Sequence, residues 1–405
     1  MYAAAIPRRF VICGKRSHAL FARPRRKNIS FFSVVKKSFR KILCFSAGGI
    51  SLIKTLDIIG RLCYNYYIMK AYRIHSPHMI KLDEMNALPV GDNCVKLKNL
   101  MCGISSSDIA VFTGRLSAQY PIVPVRQNVG FVSEVGANVS RLSRGNRVVT
   151  APHSSCHGCK SCNDARFYDC EKPVQFGLGE DGFLSDFSVV SVDDVYAIPE
   201  RIKDEEAVFI EHIALAINTL NRLNVEKGEH IVIVGATLVG IILAQVAMYY
   251  QAVPIVVDMR EDMLAIAQRS GVYFTINAVS EDVCKKILSI TGGHMADACA
   301  YLVTSKMPLQ NVCDYTAMRG RAALVGRLKE KELNCNLNGF FDKRIDLYTV
   351  ADCGRYYSAA INMLANHTVS VDMLYDKIVP FSEVPAVFES LAAEPDSSLK
   401  VLVKI

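Results

Sequence analysis

The stretch CHGCKSCNDARFYDC, from Cys156 to Cys170, spaces Cys156, Cys159, Cys162 and Cys170 as C-x2-C-x2-C-x7-C. That spacing lets one short loop wrap four thiolates around a tetrahedral ion. Four thiolates close the shell and leave no position for water or substrate, so a metal held this way is structural. The expected ion is zinc, one per chain. Disulfides and an iron–sulfur cluster are the competing readings. A ferredoxin run has about three residues before its last cysteine and a proline straight after it, whereas here the last gap is seven and Pro173 follows three residues later. His153 and His157 flank the loop and are read as structural, since four thiolates already complete the set.

Outside the loop, 405 residues suffice for two domains of ordinary size, and 51% hydrophobic residues can fill their cores. The other ten of the fourteen cysteines form no framework and read as reduced thiols of the cytosol. The net charge of +8 is concentrated in residues 1–68, where fourteen Lys and Arg face one acid, Asp57. That leader holds +13 and leaves −5 for the rest, which argues against a nucleic-acid surface on the folded body. The leader has the composition of a mitochondrial transit peptide. The favoured alternative is that translation begins at Met69, which makes the protein cytoplasmic.

From Met69 to about Pro199 the chain reads as short strands and glycine turns, an all-β body. A helical region follows, IPERIKDEEAVFIEHIALAINTLNRL, and then strands alternate with helices: HIVIVGA, LVGIILAQVAMYY, PIVVD, EDMLAIAQRSG, YFTIN. This predicts a parallel, doubly wound sheet. Ile231 to Val257 carries no charge, but Gly235, Gly240 and Pro254 interrupt it and no basic flank follows, so no membrane span is expected. The final strand, LKVLVKI, is expected to complete the first domain.

The turn Gly235-Ala-Thr-Leu-Val-Gly240 follows a buried strand and opens a helix, the context of a dinucleotide site. Gly235 permits the turn, Gly240 allows helix to pack on strand, and the N–H groups around Thr237, Leu238 and Val239 face a pyrophosphate. Asp258, 23 residues after Gly235, is placed to accept from the adenosine ribose, which favours NAD over NADP. Arg260 is the counter-indication.

These features together resemble the zinc-containing medium-chain alcohol dehydrogenases, near the sorbitol and threonine dehydrogenase branch. The resemblance covers Met69 to Ile405 and includes GNRVV at Gly145 to Val149 and EHIALAIN from Glu211. It implies a GroES-like β-rich catalytic domain (69–200 and 355–405, with the zinc lobe at 153–172) and a Rossmann NAD-binding domain (201–354). It also implies NAD(P)-dependent interconversion of a small alcohol and a carbonyl compound, usually in a homodimer or homotetramer.

Where the family's catalytic zinc is bound, this chain departs from the pattern. The family's G-I-C-G-S-D corresponds to Gly103-Ile104-Ser105-Ser106-Ser107-Asp108, so the ligand cysteine is Ser105, and Cys102 lies three residues too early. The family's G-H-E corresponds to Val125-Arg126-Gln127, and only Glu211 remains of the nearby acids. His212 is a candidate substitute ligand, against the ordinary reading of a solvated or capping histidine. Ser107 matches the family's proton-relay hydroxyl, and Asp108 the residue that orients the ligating histidine. The catalytic candidates are therefore Ser107, Asp108 and Arg126; Arg126 and Asp108 are expected to form a buried ion pair, the alternative being that Arg126 swings out to solvent and the site is empty. Two function classes remain open: a zinc-independent oxidoreductase, and a catalytically silent nucleotide-binding protein used for sensing or assembly.

Overall fold

The computed structural model describes residues 68–86, 88–302, 307–326, 335–394 and 399–405. Residues 1–67 of the basic leader, and the expectations placed on them, lie outside the described residues.

A hairpin of β1 (Ile68–Ser76) and β2 (Met79–Asn86) opens the first lobe. Its main sheet takes β3 (Cys94–Ile104), β4 (Gln127–Val135) and β5 (Arg147–Thr150) in succession. The chain then leaves through β6 (His153–Ser154) and β7 (Val174–Gln175) and returns as β8 (Phe187–Ser191) and β9 (Val195–Ala197). Alternation decides which side each residue takes: Val129 and Val149 face the core shared with the second lobe, while Val132 and Val148 face the first lobe's own core.

The second lobe holds β10 (His230–Val234), β11 (Val253–Asp258), β12 (Phe274–Asn277), β13 (Ala296–Leu302), β14 (Thr316–Val325) and β15 (Asp346–Val350). They pair in the order β12-β11-β10-β13-β14-β15, all parallel. This is the Rossmann order, whose strand sequence reverses at β10 and leaves a crevice beyond that strand's carboxyl end. The charge-free run 231–257 is thereby explained. It is three separate elements, β10, the helix Leu238–Tyr249 and β11, and the helix is apolar because its middle, Gly240–Ala247, is buried in the core while its two ends are partly exposed. Among the described residues no helix is long and apolar enough to cross a membrane.

The chain's end returns to the first lobe. β16 (Lys377–Pro380) pairs with β17 (Val401–Lys404), which runs antiparallel to β3 with Val401 opposite Ile104 and Val403 opposite Cys102. The helix Tyr357–Ala365 precedes that return, and its Tyr357, Ala360, Ile361 and Leu364 join the core shared by the two lobes, which holds Val129 and Leu402 as well as Ile231 and Ile241.

Between β6 and β7 the four cysteines converge, all four sulfurs lying within 4.8 Å of one another. A zinc ion with Zn–S bonds of about 2.3 Å needs sulfurs about 3.8 Å apart. Cys156 and Cys162 are at 3.9 Å and Cys159 and Cys162 at 3.4 Å, well beyond disulfide bonding distance. The N–H groups of Cys156 and Lys172 donate to Cys170 Sγ, and that of Glu171 to Cys159 Sγ, partners that favour thiolates. His157 turns away to Asp193 at 3.6 Å, and His153 lies in β6 opposite Gln175. The residues fit a closed structural zinc site. Metal analysis of the purified protein is expected to give one zinc per chain. Cys159→Ser should lose it and open residues 153–172 to proteolysis, since zinc binding in small peptides supplies about 10 kcal/mol or more of folding free energy.

Candidate functional site

β3 ends at Ile104, and Ser105 starts the helix Ser106–Phe112. Asp108 folds back on this start: its Oδ2 accepts from the Ser105 N–H at 2.7 Å and from the Ser105 hydroxyl at 2.5 Å. Its Oδ1 accepts from the Val125 N–H at 3.1 Å. Val125 has φ of +72°, a left-handed conformation that a β-branched residue adopts only under constraint, at a cost of order 1–3 kcal/mol. Asp108 holds it at the nitrogen and Phe183, donating to its carbonyl at 2.8 Å, at the oxygen. The strain has a local result: the next side chain, Arg126, is delivered to the boundary between the lobes.

There Arg126 Nε donates to Glu211 Oε1 at 3.1 Å, and Nη1 to Ser107 Oγ at 3.2 Å. The expected Arg126–Asp108 pair does not form, because the Asp108 oxygens are spent on Ser105 and Val125, its neighbours in chain and space. The cation's counter-charge is Glu211, 85 residues on. The two serines link the acids indirectly. Ser105 and Ser107 hydroxyls are 2.8 Å apart, and since Ser105 gives its hydrogen to Asp108, Ser107 donates to Ser105. Glu211 raises the Arg126 pKa further. Burial pushes the Glu211 carboxyl up, but the groups around it, Arg126 foremost, outweigh this and hold it below its ordinary range.

Behind this pair lies a residue that the sequence reading passed over. Lys400, just before β17, is 4% exposed, and its Nζ donates to Gln127 Oε1. A lysine can only donate, so the Gln127 amide is fixed with Nε2 turned the other way, donating to Glu211 Oε2 at 2.5 Å. The same Nε2 lies 3.2 Å from His212 Nε2, which makes that ring nitrogen an acceptor and places the histidine's proton on Nδ1. Burial, then Lys400, pushes the His212 pKa down to about 3, so the ring is neutral. His212 is half-buried, and among the described residues no group of three or more metal-ligand side chains includes it. Burial likewise pushes the Lys400 ammonium down to about 8, and its nitrogen stands 6.0 Å from the centre of the Phe209 ring. Room for the lysine comes from Gly103, where a Cβ would lie 2.5 Å from Lys400 Cε. Cys102 faces away, its thiol on the Phe183 carbonyl at 3.2 Å. The one sequence signal for Lys400 is a lysine inside an apolar run, LKVLV.

The second half of the site lies beyond β10. Gly235 has φ of +112°, and a Cβ on Gly240 would stand 2.1 Å from the Gly235 carbonyl oxygen, so both positions require glycine. Thr237 caps the helix, its hydroxyl accepting from the Gly240 N–H at 3.2 Å. That turns the side chain onto the helix and leaves the N–H groups of Leu238 and Val239, in the first turn, without intrahelical acceptors. Asp258 ends β11, its oxygens accepting from the N–H groups of Ala236 at 2.6 Å and Arg260 at 2.9 Å. The Arg260 guanidinium lies on Asp262, with Nε to Oδ1 at 3.2 Å. The arrangement suits a dinucleotide phosphate at the helix start with a carboxylate beside it.

Two family models match the chain: the alcohol dehydrogenase GroES-like domain over residues 91–200 and the zinc-binding dehydrogenase domain over residues 239–366. An uncharacterized zinc-type alcohol dehydrogenase-like protein of Haemophilus influenzae is 29% identical over 336 residues, 82% of this chain and 98% of its own. The sorbitol dehydrogenase of Bacillus subtilis is 26% identical, covering 83% and 97%. A zinc-binding dehydrogenase from Sinorhizobium meliloti, solved bound to NADP, superposes with a TM-score of 0.76 at 19% identity, over 84% of this chain and 99% of its own. GroES-like lobe, Rossmann sheet and both matched regions lie in order on one chain, which belongs to the zinc-type medium-chain alcohol dehydrogenase family of oxidoreductases.

Proposed function

We propose that the protein transfers a hydride between NAD(H) and a small alcohol or carbonyl compound in the cleft between its lobes, without a catalytic zinc. The observation that carries this reading is the Arg126–Glu211 pair, bonded also to Ser107, at the positions where the family holds its metal. The residues there do not fit a zinc ion. A hydroxyl, a guanidinium and an amide are poor donors, and both Glu211 oxygens already bond Arg126 and Gln127. Among the described residues the four lobe cysteines are the one group of three or more His, Cys, Asp or Glu close enough to share an ion.

Bound at the Gly235–Gly240 turn, a nicotinamide dinucleotide supplies or accepts the hydride. Arg126 keeps N–H groups beyond the two it gives to Glu211 and Ser107, and a quarter of its side chain is exposed. Those groups orient the carbonyl oxygen and stabilise negative charge on it, the part a metal plays elsewhere in the family. Ser107 exchanges the alcohol proton, its hydroxyl continuing through Ser105 to Asp108. Asp258 favours NAD, because a second negative charge on the ribose would face its carboxylate and because Arg260 is already held by Asp262.

NADH oxidation should be measurable with some member of a panel of small ketones and enones. Arg126→Met should lower kcat/KM with that substrate about 10²–10³-fold, the usual loss for one oxyanion donor. Removing either partner of the Arg126–Glu211 pair should also cost about 3 kcal/mol of stability, the low end for a buried pair. In a double-mutant cycle with Glu211→Gln the losses should not add, and simple additivity would mean the pair is not coupled. In a titration, NAD(H) should bind more tightly than NADP(H), with Asp258→Ala narrowing the gap. A wild-type preference for NADP(H) would assign the choice to Arg260.

Lys400 gives a separate readout. Its pKa is about 8 in the fold and about 10.4 in an unfolded chain. Between those values the unfolded state binds more protons, so stability should rise with pH across that window. Lys400→Met should remove the rise, as measured by chemical denaturation at pH 7.5, 9 and 10.5.

A further inference from the structure

Away from the cleft and from the zinc lobe, two thiols meet in the second lobe. Cys313 lies in the short helix Asn311–Tyr315 between β13 and β14, and Cys335 lies just before the helix Asn338–Lys343 between β14 and β15. Both are free cysteines, and their side chains hydrogen-bond to each other. Their surroundings differ. Cys313 is 2% exposed, inside the core that holds Val312, Tyr315, Phe340 and Ile345, whereas Cys335 is half-buried and packs against the edge of that core.

Three contacts hold these two segments together. A Cβ on Gly339 would stand 3.2 Å from both Cβ and Sγ of Cys313, so the missing side chain lets the second helix approach the thiol closely. Gln310 Oε1 accepts from the Asn336 N–H at 3.1 Å and from the Cys335 thiol at 3.7 Å. Lys343 Nζ donates to the carbonyls of Cys313 at 2.6 Å and Thr316 at 2.9 Å. Because Cys335 gives its hydrogen to Gln310, the bond between the sulfurs is donated by Cys313 and accepted by Cys335. Burial pushes the Cys313 pKa up to about 11, so that thiol keeps its proton. At Cys335 burial and Asp314 also raise the pKa, and the bond from Cys313 opposes them. The pair is therefore asymmetric: Cys335 is the sulfur that solvent reaches and that can carry negative charge, and Cys313 stands behind it as a protonated thiol.

We propose that Cys313 and Cys335 are a peroxide-reactive thiol pair that closes to a reversible disulfide, with Cys335 attacking and Cys313 resolving. The oxidant is a hydroperoxide, of which hydrogen peroxide is the simplest. In the first step the Cys335 thiolate attacks one peroxide oxygen, the S–O bond forms and the O–O bond breaks, and the departing hydroxide takes up a proton as water. Cys335 is then a sulfenic acid, oxidised by two electrons at the expense of the peroxide. In the second step Cys313 gives its proton to the sulfenic hydroxyl, the S–S bond forms, and the S–O bond breaks with loss of a second water. Two thiols and one hydrogen peroxide thus become one disulfide and two waters. The bond covalently joins the connection between β13 and β14 to the one between β14 and β15. Cys299 is a poorer resolving partner, fully buried in β13 beside the Thr316 hydroxyl.

The test is to expose the full-length, zinc-loaded protein to a small excess of hydrogen peroxide, block the remaining thiols by alkylation and map its peptides without reduction. The expected product is a pair of peptides carrying Cys313 and Cys335, joined and lighter by two hydrogens, which dithiothreitol returns to two alkylatable thiols. In Cys313→Ser no partner resolves the sulfenic acid, so Cys335 should instead accumulate as the sulfinic acid, which dithiothreitol does not reverse. Cys284→Ser, which removes another partly buried thiol of the same lobe, should leave the yield of the linked pair unchanged. Three results would overturn the proposal: wild-type Cys335 reaching the sulfinic acid as fast as in Cys313→Ser, Cys335 linked to Cys284 or to a lobe cysteine, or both thiols still alkylatable once the lobe cysteines have been oxidised. The wild-type map decides the matter even if a variant fails to fold. No readout involves turnover, so the result is independent of the proposed hydride transfer.

Discussion

Arg126 and Glu211 meet at 3.1 Å with 25% and 14% of their side chains exposed, in surroundings where an unmatched charge is costly. The consequence runs outward through every neighbouring group. Glu211 must be ionised to hold the cation, so its second oxygen takes a donor, Gln127. That amide is kept in the right orientation by a lysine that can do nothing but donate. The lysine is a second buried cation, facing Glu211 first and Asp108 second, while His212 remains neutral beside it. Two positive and two negative groups are thus packed into one polar layer between two apolar cores. Gly103 and the strained Val125 are local concessions to that layer: one opens space for the lysine, the other aims the arginine.

Much of this was readable before any coordinates. Four cysteines within fifteen residues specify a metal loop through spacing alone, because the ligands are neighbours in the chain. The Rossmann half was readable for a related reason. Each strand and helix carries its own period, and the Gly235–Gly240 turn joins two elements that are adjacent in sequence. The position of Arg126 was also legible, from its register with a known motif.

Its partner was not. Asp108 is close to Arg126 in space, yet three donors from Ser105 and Val125 reach it first, and a helix start recruits the acid at its third position whatever lies across the cleft. Short-range hydrogen bonding decided the matter against a longer-range charge pair. Gln127 and Lys400 are 273 residues apart, so no local pattern could have paired them. They meet only because β17 returns to pair with β3. The return was foreseeable from the apolar character of LKVLVKI, but which buried residue its lysine would touch was not.

The two cations also differ in a way that suits their places. A lysine is a compact charge whose pKa yields to burial, and Lys400 has moved down to about 8. An arginine stays charged at any working pH and offers five donors in a planar fork, two of which can be spent on Glu211 and Ser107 while others face the cleft. For a group that must present a fixed positive charge to a carbonyl oxygen in the proposed reaction, the second behaviour is required and the first is a liability. The reverse holds behind the pair, where a flexible stem must thread past Gly103 to reach one amide oxygen. Exchanging the residues would put a titrating charge at the reacting oxygen and a rigid fork in a slot sized for a methylene chain. The assignment of arginine to the cleft and lysine to the interior therefore follows from side-chain chemistry, and in the proposed reaction it keeps a constant positive charge toward the carbonyl oxygen.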